Sequence, residues 1–416
     1  MANTHWTILA DNESDREQLF EKILYSHELP KALEGFKGLK GGLLSQSEID
    51  RYIEEEERHD LKVLTKGRKQ RLKTLSSGER KKALLEYLLS QDNEFLILDN
   101  PLDNLDGTSR EALQRLLKKL AHQIPLIQLI TRKADKLSFP CKWALLHQNE
   151  LRIINDPTDM ELETRIVHHK GAVPGPLNPI LLASDSLVLF NKVNVDYGNK
   201  PVLHQITWEL KPGEFWQLTG SNGSGKTTLL SLITGENPKA YGQDITLFGK
   251  RKGSGESVWE IKEKLGYFTP AMIDRFRGYH SLENMLISGL HDSIGLYVQP
   301  TKVEQDLALN WLKYLGLKDR SKRYFHELSL GQQRLIMCVR AMIKHPPLLI
   351  LDEPTAGLVD SSAALVVDLV NQMALTSQSC IVFVSHRQEP GLNPQFTYSL
   401  RPGTHGSTGG VIDESL

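Results

Sequence analysis

The strongest chemical signal in the chain lies in residues 214–233, EFWQLTGSNGSGKTTLLSLI. A short apolar strand, Phe215–Leu218, runs into Gly220-Ser221-Asn222-Gly223-Ser224-Gly225-Lys226-Thr227-Thr228 and then into an apolar stretch with helical spacing. Glycine lets successive backbone N–H groups curl around phosphates with no Cβ in the way. The helix N-terminus that follows adds a dipole favouring an anion. At this spacing Lys226 reaches the β- and γ-phosphates of a nucleotide, and the Thr227 hydroxyl ligates Mg²⁺. Further on, Leu348-Leu349-Ile350-Leu351-Asp352-Glu353-Pro354 reads as a buried parallel strand ending in two carboxylates, the end where α/β sheets place their chemistry. Asp352 is expected to hold the magnesium shell, and Glu353 to polarise the attacking water as general base. The next strand, Cys380–Val384, ends in Ser385-His386, which puts an imidazole near the γ-phosphate.

The elements that must position these groups are strand, loop and helix in fixed order. Just before the acidic strand stands Leu328-Ser329-Leu330-Gly331-Gln332-Gln333-Arg334. A phosphate loop, then LSLGQ, then LILDEP, then VSH is an ordered set that resembles the ATP-binding cassette family. The resemblance implies an ATP hydrolase with Mg²⁺ as cofactor, in which each signature helix caps the γ-phosphate of the opposite cassette in a head-to-tail pair. Tyr197, in Asp196-Tyr197-Gly198-Asn199, matches the aromatic that stacks on adenine; a plain turn tyrosine is the alternative.

Internal similarity sets the architecture. Leu75-Ser76-Ser77-Gly78-Glu79-Arg80 is a second signature, and Phe95-Leu96-Ile97-Leu98-Asp99-Asn100-Pro101 a second acidic strand. Trp6, Asn12, Ser14 and Leu19 coincide with Trp216, Asn222, Ser224 and Leu229, and Ile49–Tyr52 with Ile273–Phe276. The offsets grow along the chain, so the first cassette is a shortened copy lacking the strands that precede a phosphate loop. Its loop reads as dead: Ala10, Glu13 and Asp15 replace the three glycines, Arg16 the lysine and Glu17 the threonine. Forcing a residue with a Cβ into left-handed geometry costs about 1–2 kcal/mol. A carboxylate about 6 Å from a phosphate charge repels it by roughly 3 kcal/mol at an effective dielectric near 20. Asn100 replaces the general base, and Arg132 is expected in place of the histidine. The first signature is intact, however. Head-to-tail pairing therefore predicts one competent composite site, in which Ser76, Ser77 and Gly78 complete the site built on Lys226, Thr227, Asp352, Glu353 and His386.

The expected fold is α/β: two P-loop cassettes in tandem, each a mostly parallel core sheet with a helical subdomain, the first one reduced. The boundaries read as 1–155, a proline-bearing linker over 156–184, and 185–416, with a helical insert near 279–325. A flexible 29-residue tether spans about 30 Å at an effective concentration on the order of millimolar, which permits an intramolecular cassette sandwich. Lys plus Arg is 50 against 51 for Asp plus Glu, so no global charge advertises nucleic acid or membrane. The basic stretch Lys66–Lys73 with Arg80–Lys82 interleaves no aromatics for base stacking, so a solvated helical face is the expectation. His168-His169 reads as a loop pair, because no second ligand pair lies near it. Three scattered cysteines fit a reducing compartment. No apolar run approaches the roughly 18 residues of a membrane span. The chain is thus expected in the cytoplasm, free or peripheral at the inner face of the membrane.

One departure weakens the match. Where cassettes carry a glutamine after the strand Leu265–Phe268, this chain has Pro270, while the first cassette has Gln46. Slow hydrolysis and a non-standard coupling to membrane subunits are the expectation. Within the family, the double-cassette layout resembles the ModF-type proteins associated with molybdate transport and photorepair. Two functions follow: an ATPase subunit for a permease of molybdate or another oxyanion, or an ATP-timed switch that binds a protein or nucleic-acid partner.

Overall fold

The computed structural model describes residues 4–11, 14–26, 28–67, 70–147, 149–155, 171–179, 184–276 and 278–412. Asn12 and Glu13 of the first loop, Arg68 and Lys69 of the basic stretch, His168-His169 and most of the 156–184 linker lie outside the described residues. The chain divides into two compact units: residues 1–165 with 357–361, and residues 166–356 with 362–416.

The first unit runs β1 (Trp6–Ala10), α1 (Arg16–Tyr25), β2 (Gly41–Leu44), α2 (Gln46–His59), α3 (Ser77–Leu89), β3 (Phe95–Asp99), α4 (Gly107–Leu120), β4 (Leu126–Ile130), β5 (Lys142–His147) and β6 (Glu150–Ile154). Its six strands form one sheet in the order β2-β3-β4-β1-β5-β6. The first five are parallel and β6 returns antiparallel. Central strands β3 and β4 are apolar almost throughout because both faces of the sheet are covered. Leu84, Leu88, Leu113 and Leu117 of α3 and α4 pack on one face, and Leu19, Phe20 and Ile23 of α1 on the other.

The second unit comprises β7 (Val188–Tyr197), β8 (Lys200–Leu210), β9 (Phe215–Gly220), α5 (Lys226–Ile233), β10 (Ile245–Leu247), β11 (Lys250–Arg251), α6 (Val258–Glu263), β12 (Leu265–Phe268), α7 (Leu282–Leu290), α8 (Lys302–Tyr314), α9 (Leu330–Met342), β13 (Leu348–Asp352), α10 (Asp360–Thr376), β14 (Cys380–Val384), β15 (Phe396–Arg401) and β16 (Thr408–Ile412). A six-stranded sheet, β12-β13-β14-β9-β15-β16, repeats the order of the first unit. A four-stranded antiparallel sheet, β11-β10-β7-β8, has no counterpart among the described residues of the first unit. Helices α7 and α8 fall where the helical insert was expected.

The repeat is carried into the hydrogen-bond register. Leu44 pairs with Leu98 in the first sheet, and Phe268 with Leu351 in the second. Gln46 and Pro270 therefore stand at one position, two residues past the edge strand, as the internal alignment required. Pro270 opens a turn of 3-10 helix there, whereas Gln46 opens the fourteen-residue α2, capped by the Ser45 side chain.

The register also corrects the sequence reading at one position. Asp99 pairs with Leu129, and Asp352 with Val384. Two residues beyond those partners stand Thr131 and His386. Thr131, not Arg132, therefore occupies the histidine position of the first unit. The sequence alignment set the pair Thr131-Arg132 beside Ser385-His386 by the strand ends, and it slipped by one because nothing in the residues marks the register of two apolar strands.

Candidate nucleotide site

In the second unit, β9 delivers the chain to a loop that only glycine can close. Gly223 and Gly225 have φ of 77° and 91°. A Cβ on Gly225 would stand 2.7 Å from Leu203 Cδ2, and one on Gly220 would stand 2.6 Å from Ser224 Oγ and 2.8 Å from the Leu400 carbonyl oxygen. A Cβ on Gly223 would meet nothing within 4 Å, so that glycine serves backbone conformation alone. Left-handed Gly225 opens α5 with no side-chain cap on the helix. An anion is the natural partner for such a terminus. Ser224 is buried and its Oγ has no hydrogen-bond partner. Ser221 and Asn222 line the partly exposed rim, and the Thr227 side chain is exposed.

Lys226 is buried beneath this loop. Its ammonium donates to the carbonyl oxygens of Gly220 at 2.7 Å and Ser221 at 3.2 Å, and lies 3.2 Å from His386 Nδ1. His386 Nε2 is 3.1 Å from Glu353 Oε1. An ammonium can only donate, so Nδ1 accepts in its contact with Lys226, while Nε2 lies at ion-pair distance from the Glu353 carboxylate. Glu353 has a left-handed backbone, φ 50°, and its N–H donates to the Val384 carbonyl oxygen at 3.0 Å. That conformation turns the carboxylate out of the strand line at a cost of about 1–3 kcal/mol. Burial raises the Asp352 carboxyl above its usual range, and the Lys226 charge pulls it back.

A magnesium ion fits the donors present. Thr227 and Asp352 offer a hydroxyl and a carboxylate, both hard oxygen ligands, with a nucleotide's phosphates left to complete the shell. Among the described residues no cluster of three or more His, Cys, Asp or Glu is placed to hold a metal ion.

Tyr197 ends β7, the residue 47% exposed, and its hydroxyl accepts from Asn237 Nδ2 at 2.8 Å. Sequence reasoning missed Asn237. Asn237-Pro238 signals a turn, but nothing in the sequence signals a bond to a residue 40 positions away.

The first unit places its remnants at the same points with different partners. Arg16, at the lysine position, forms an ion pair with Asp99 at 3.1 Å. Burial raises the Asp99 carboxyl, and Arg16 and Lys81 oppose the rise. Asn100 keeps the left-handed backbone of Glu353, with φ 40°, and its amide oxygen accepts from the Thr131 N–H at 3.0 Å and from its hydroxyl at 3.2 Å. The pair Asn100–Thr131 therefore replaces Glu353–His386 with no group able to take a proton. The expected strain of a residue forced left-handed at the loop's end is not incurred: Asp15 takes extended geometry, φ −78°, and caps α1 through its side chain.

The two signature helices also differ. Ser76 caps α3 in a closed box: its Oγ lies 2.7 Å from Glu79 Oε2, and its N–H donates to the same oxygen at 2.8 Å. Ser77 Oγ donates to the Asn104 carbonyl oxygen at 2.8 Å, and a Cβ on Gly78 would stand 3.0 Å from Ser109. Ser329 opens α9 with no side-chain cap bond.

Comparison with known proteins agrees with this geometry. Residues 203–356 match the ABC transporter family. The chain is 36% identical over 332 residues to the ABC transporter ATP-binding protein ModF of Escherichia coli K12, covering 77% of this chain and 68% of that protein. It is 31% identical over 325 residues to an uncharacterized ABC transporter ATP-binding protein of Schizosaccharomyces pombe, covering 76% of this chain and 65% of that one. Among solved structures, the archaeal ribosome recycling factor aABCE1, in complex with the stalk protein aP1, shares the fold at TM-score 0.62 and 14% identity, over 98% of this chain and 85% of its own. With the loop, the acidic strand and the signature in the family's order and spatial arrangement, this chain belongs to the ATP-binding cassette ATPases.

Proposed function

We propose that the chain binds and hydrolyses ATP at the Gly220–Thr228 loop and serves as the ATP-binding component of a membrane transport system for an oxyanion of the molybdate type. The observation that carries the catalytic part is the run Lys226–His386–Glu353, closed at 3.2 and 3.1 Å around an uncapped helix terminus. The relation to ModF supports the transport part.

In this reading the backbone N–H groups of Gly223, Ser224, Gly225 and Lys226 take the phosphate oxygens, with Ser221, Asn222 and Thr228 along the rim. The Lys226 ammonium exchanges the Gly220 and Ser221 carbonyl oxygens for the β- and γ-phosphates. Thr227 and Asp352 would hold a magnesium ion, which would supply neutralising charge to the phosphates. Glu353 accepts the proton of the attacking water, and His386 fixes that carboxylate in place. Tyr197 stacks on the adenine. The first unit contributes no turnover of its own and supplies its signature, Ser76, Ser77 and Gly78, to the site of the second. The protein is cytoplasmic in this reading and docks on a separate permease; among the described residues no helix is long and apolar enough to cross a membrane.

Pro270 favours a second reading, a regulatory switch timed by ATP. It occupies the position where the family's glutamine links the metal shell to the transporter subunit.

The test is affinity capture with a Glu353→Gln variant, ATP and a detergent-solubilised membrane extract. The variant is expected to retain ATP and to hold a polytopic membrane protein only while nucleotide is present. Recovery of a soluble partner under the same dependence would replace transport with the switch. Partner recovery indifferent to ATP would overturn both readings.

A further inference from the structure

The β7–β8 hairpin meets the phosphate loop at two points, and only one of them is apolar. Leu203 of β8 fills the space beside Gly225, where a Cβ would stand 2.7 Å from its Cδ2. The second point is a hydrogen-bonded run from the hairpin tip to the loop helix. Asn237 is buried and donates from Nδ2 to the Tyr197 hydroxyl at 2.8 Å and to Ser231 Oγ at 2.9 Å. Ser231 Oγ donates in turn to the carbonyl oxygen of Thr228, in the first turn of α5, at 2.7 Å. Asn237 is itself held, because its Oδ1 accepts the Lys239 N–H at 3.0 Å and its own N–H donates to the Ser231 carbonyl oxygen at 3.2 Å. Both amide donors and the acceptor of this side chain are therefore in use.

We propose that Asn237 is a positioning residue for nucleotide binding: it fixes the Tyr197 ring, through its hydroxyl, at a set distance from the phosphate loop before the base arrives. This rests on the reading that Tyr197 stacks on adenine. A tyrosine at a hairpin tip, with half its surface in water, must otherwise be ordered by the ligand, and that ordering subtracts from affinity. Tied to α5, the ring moves with the helix that holds the phosphates. The consequence is selective. Losing the tether weakens ligands that carry a base and spares those that are phosphate alone.

The experiment measures binding of Mg·ATP and of Mg·tripolyphosphate to the full chain carrying Asn237→Ala, Tyr197→Phe, both together, or Tyr197→Ala. Asn237→Ala and Tyr197→Phe are each expected to weaken ATP by about three- to tenfold, the size of one neutral hydrogen bond, and the double variant no further. Tripolyphosphate affinity should hold, and KM for ATP should rise with kcat little changed. If Asn237→Ala weakens tripolyphosphate in parallel, Asn237 merely supports the loop and the proposal falls. If Tyr197→Ala weakens ATP while Tyr197→Phe and Asn237→Ala do not, the stacking stands and the tether is refuted. If Tyr197→Ala leaves ATP binding untouched, the stacking reading fails, and the inference with it.

Discussion

Two strand–loop–helix corners, one in each unit, stand at equivalent places in sheets of the same strand order and open their helices by different means. After β9, α5 opens on Gly225 with no side-chain cap. After β1, the described loop residues bond to one another and to the β5–β6 turn. Asp11 accepts the N–H and hydroxyl of Ser14 at 2.7 and 2.6 Å, Asn149 accepts the Asp15 N–H at 2.8 Å, and Asp15 accepts the Gln18 N–H at 3.0 Å. Asp11 is itself anchored by His147 at 2.5 Å. The acids that would repel a phosphate thus also do the phosphate's structural work. At the start of α1 the Gln18 N–H donates to the Asp15 carboxylate, a charge suited to a helix N-terminus. The first sheet keeps the strand order of the second.

The sharpest way to break this contrast is to remove the two cations at the equivalent position. Lys226→Ala should lower ATP turnover by about a hundredfold or more, the scale of losing one preorganised charge donor. Arg16→Ala should leave turnover within about twofold. Steady-state ATPase assays decide it, and comparable losses from both would mean that the first corner still handles nucleotide.

A smaller effect is expected on stability. Arg16 is part of an ion pair whose side chains are 32% and 18% exposed, so its removal should cost about 1–2 kcal/mol at neutral pH, after discounting for solvent. The pH dependence follows from Asp99, whose carboxyl sits above its unfolded value through burial. Without Arg16 it rises further, so the native variant binds a proton more tightly than the unfolded chain. Its stability is favoured at low pH and lost as pH rises through the folded value. The deficit against wild type in thermal melts should therefore be larger at pH 8 than at pH 4. An equal deficit at both would show that Arg16 acts through packing.

The smallest effect concerns the signatures. Glu79→Gln keeps a capping-box residue but weakens the charge-assisted hold on Ser76. If Ser76 serves the site of the second unit, turnover should rise by about two- to threefold. No change, or a fall, would remove Glu79 as a restraint on the hydroxyl.

Much of this comparison was legible in the residues. The glycine spacing at 220–225 announced a backbone that must turn left-handed, and φ values of 77° and 91° at Gly223 and Gly225 follow from it. The two acidic strands, read as buried from their unbroken apolar runs, are buried in both sheets. What stayed hidden were side-chain partners far apart in sequence. Thr131 was missed as the histidine counterpart because register between two apolar strands has no local signature. The closure of the first loop was hidden because it depends on His147 and Asn149, at the end of neighbouring β5 and in the turn after it, 136 and 134 residues from their partners.

The sequence by itself determined which corner turns left-handed before its helix. Glycine, lysine and threonine at fixed intervals constrain the backbone locally, and no tertiary contact can substitute for a missing Cβ. Only the tertiary structure decided what the other corner became. Whether Arg16, Asp11 and Asp15 would repel one another, seek water or satisfy the helix depended on which groups the sheet order brought within about 3 Å, since hydrogen bonds act only at that range.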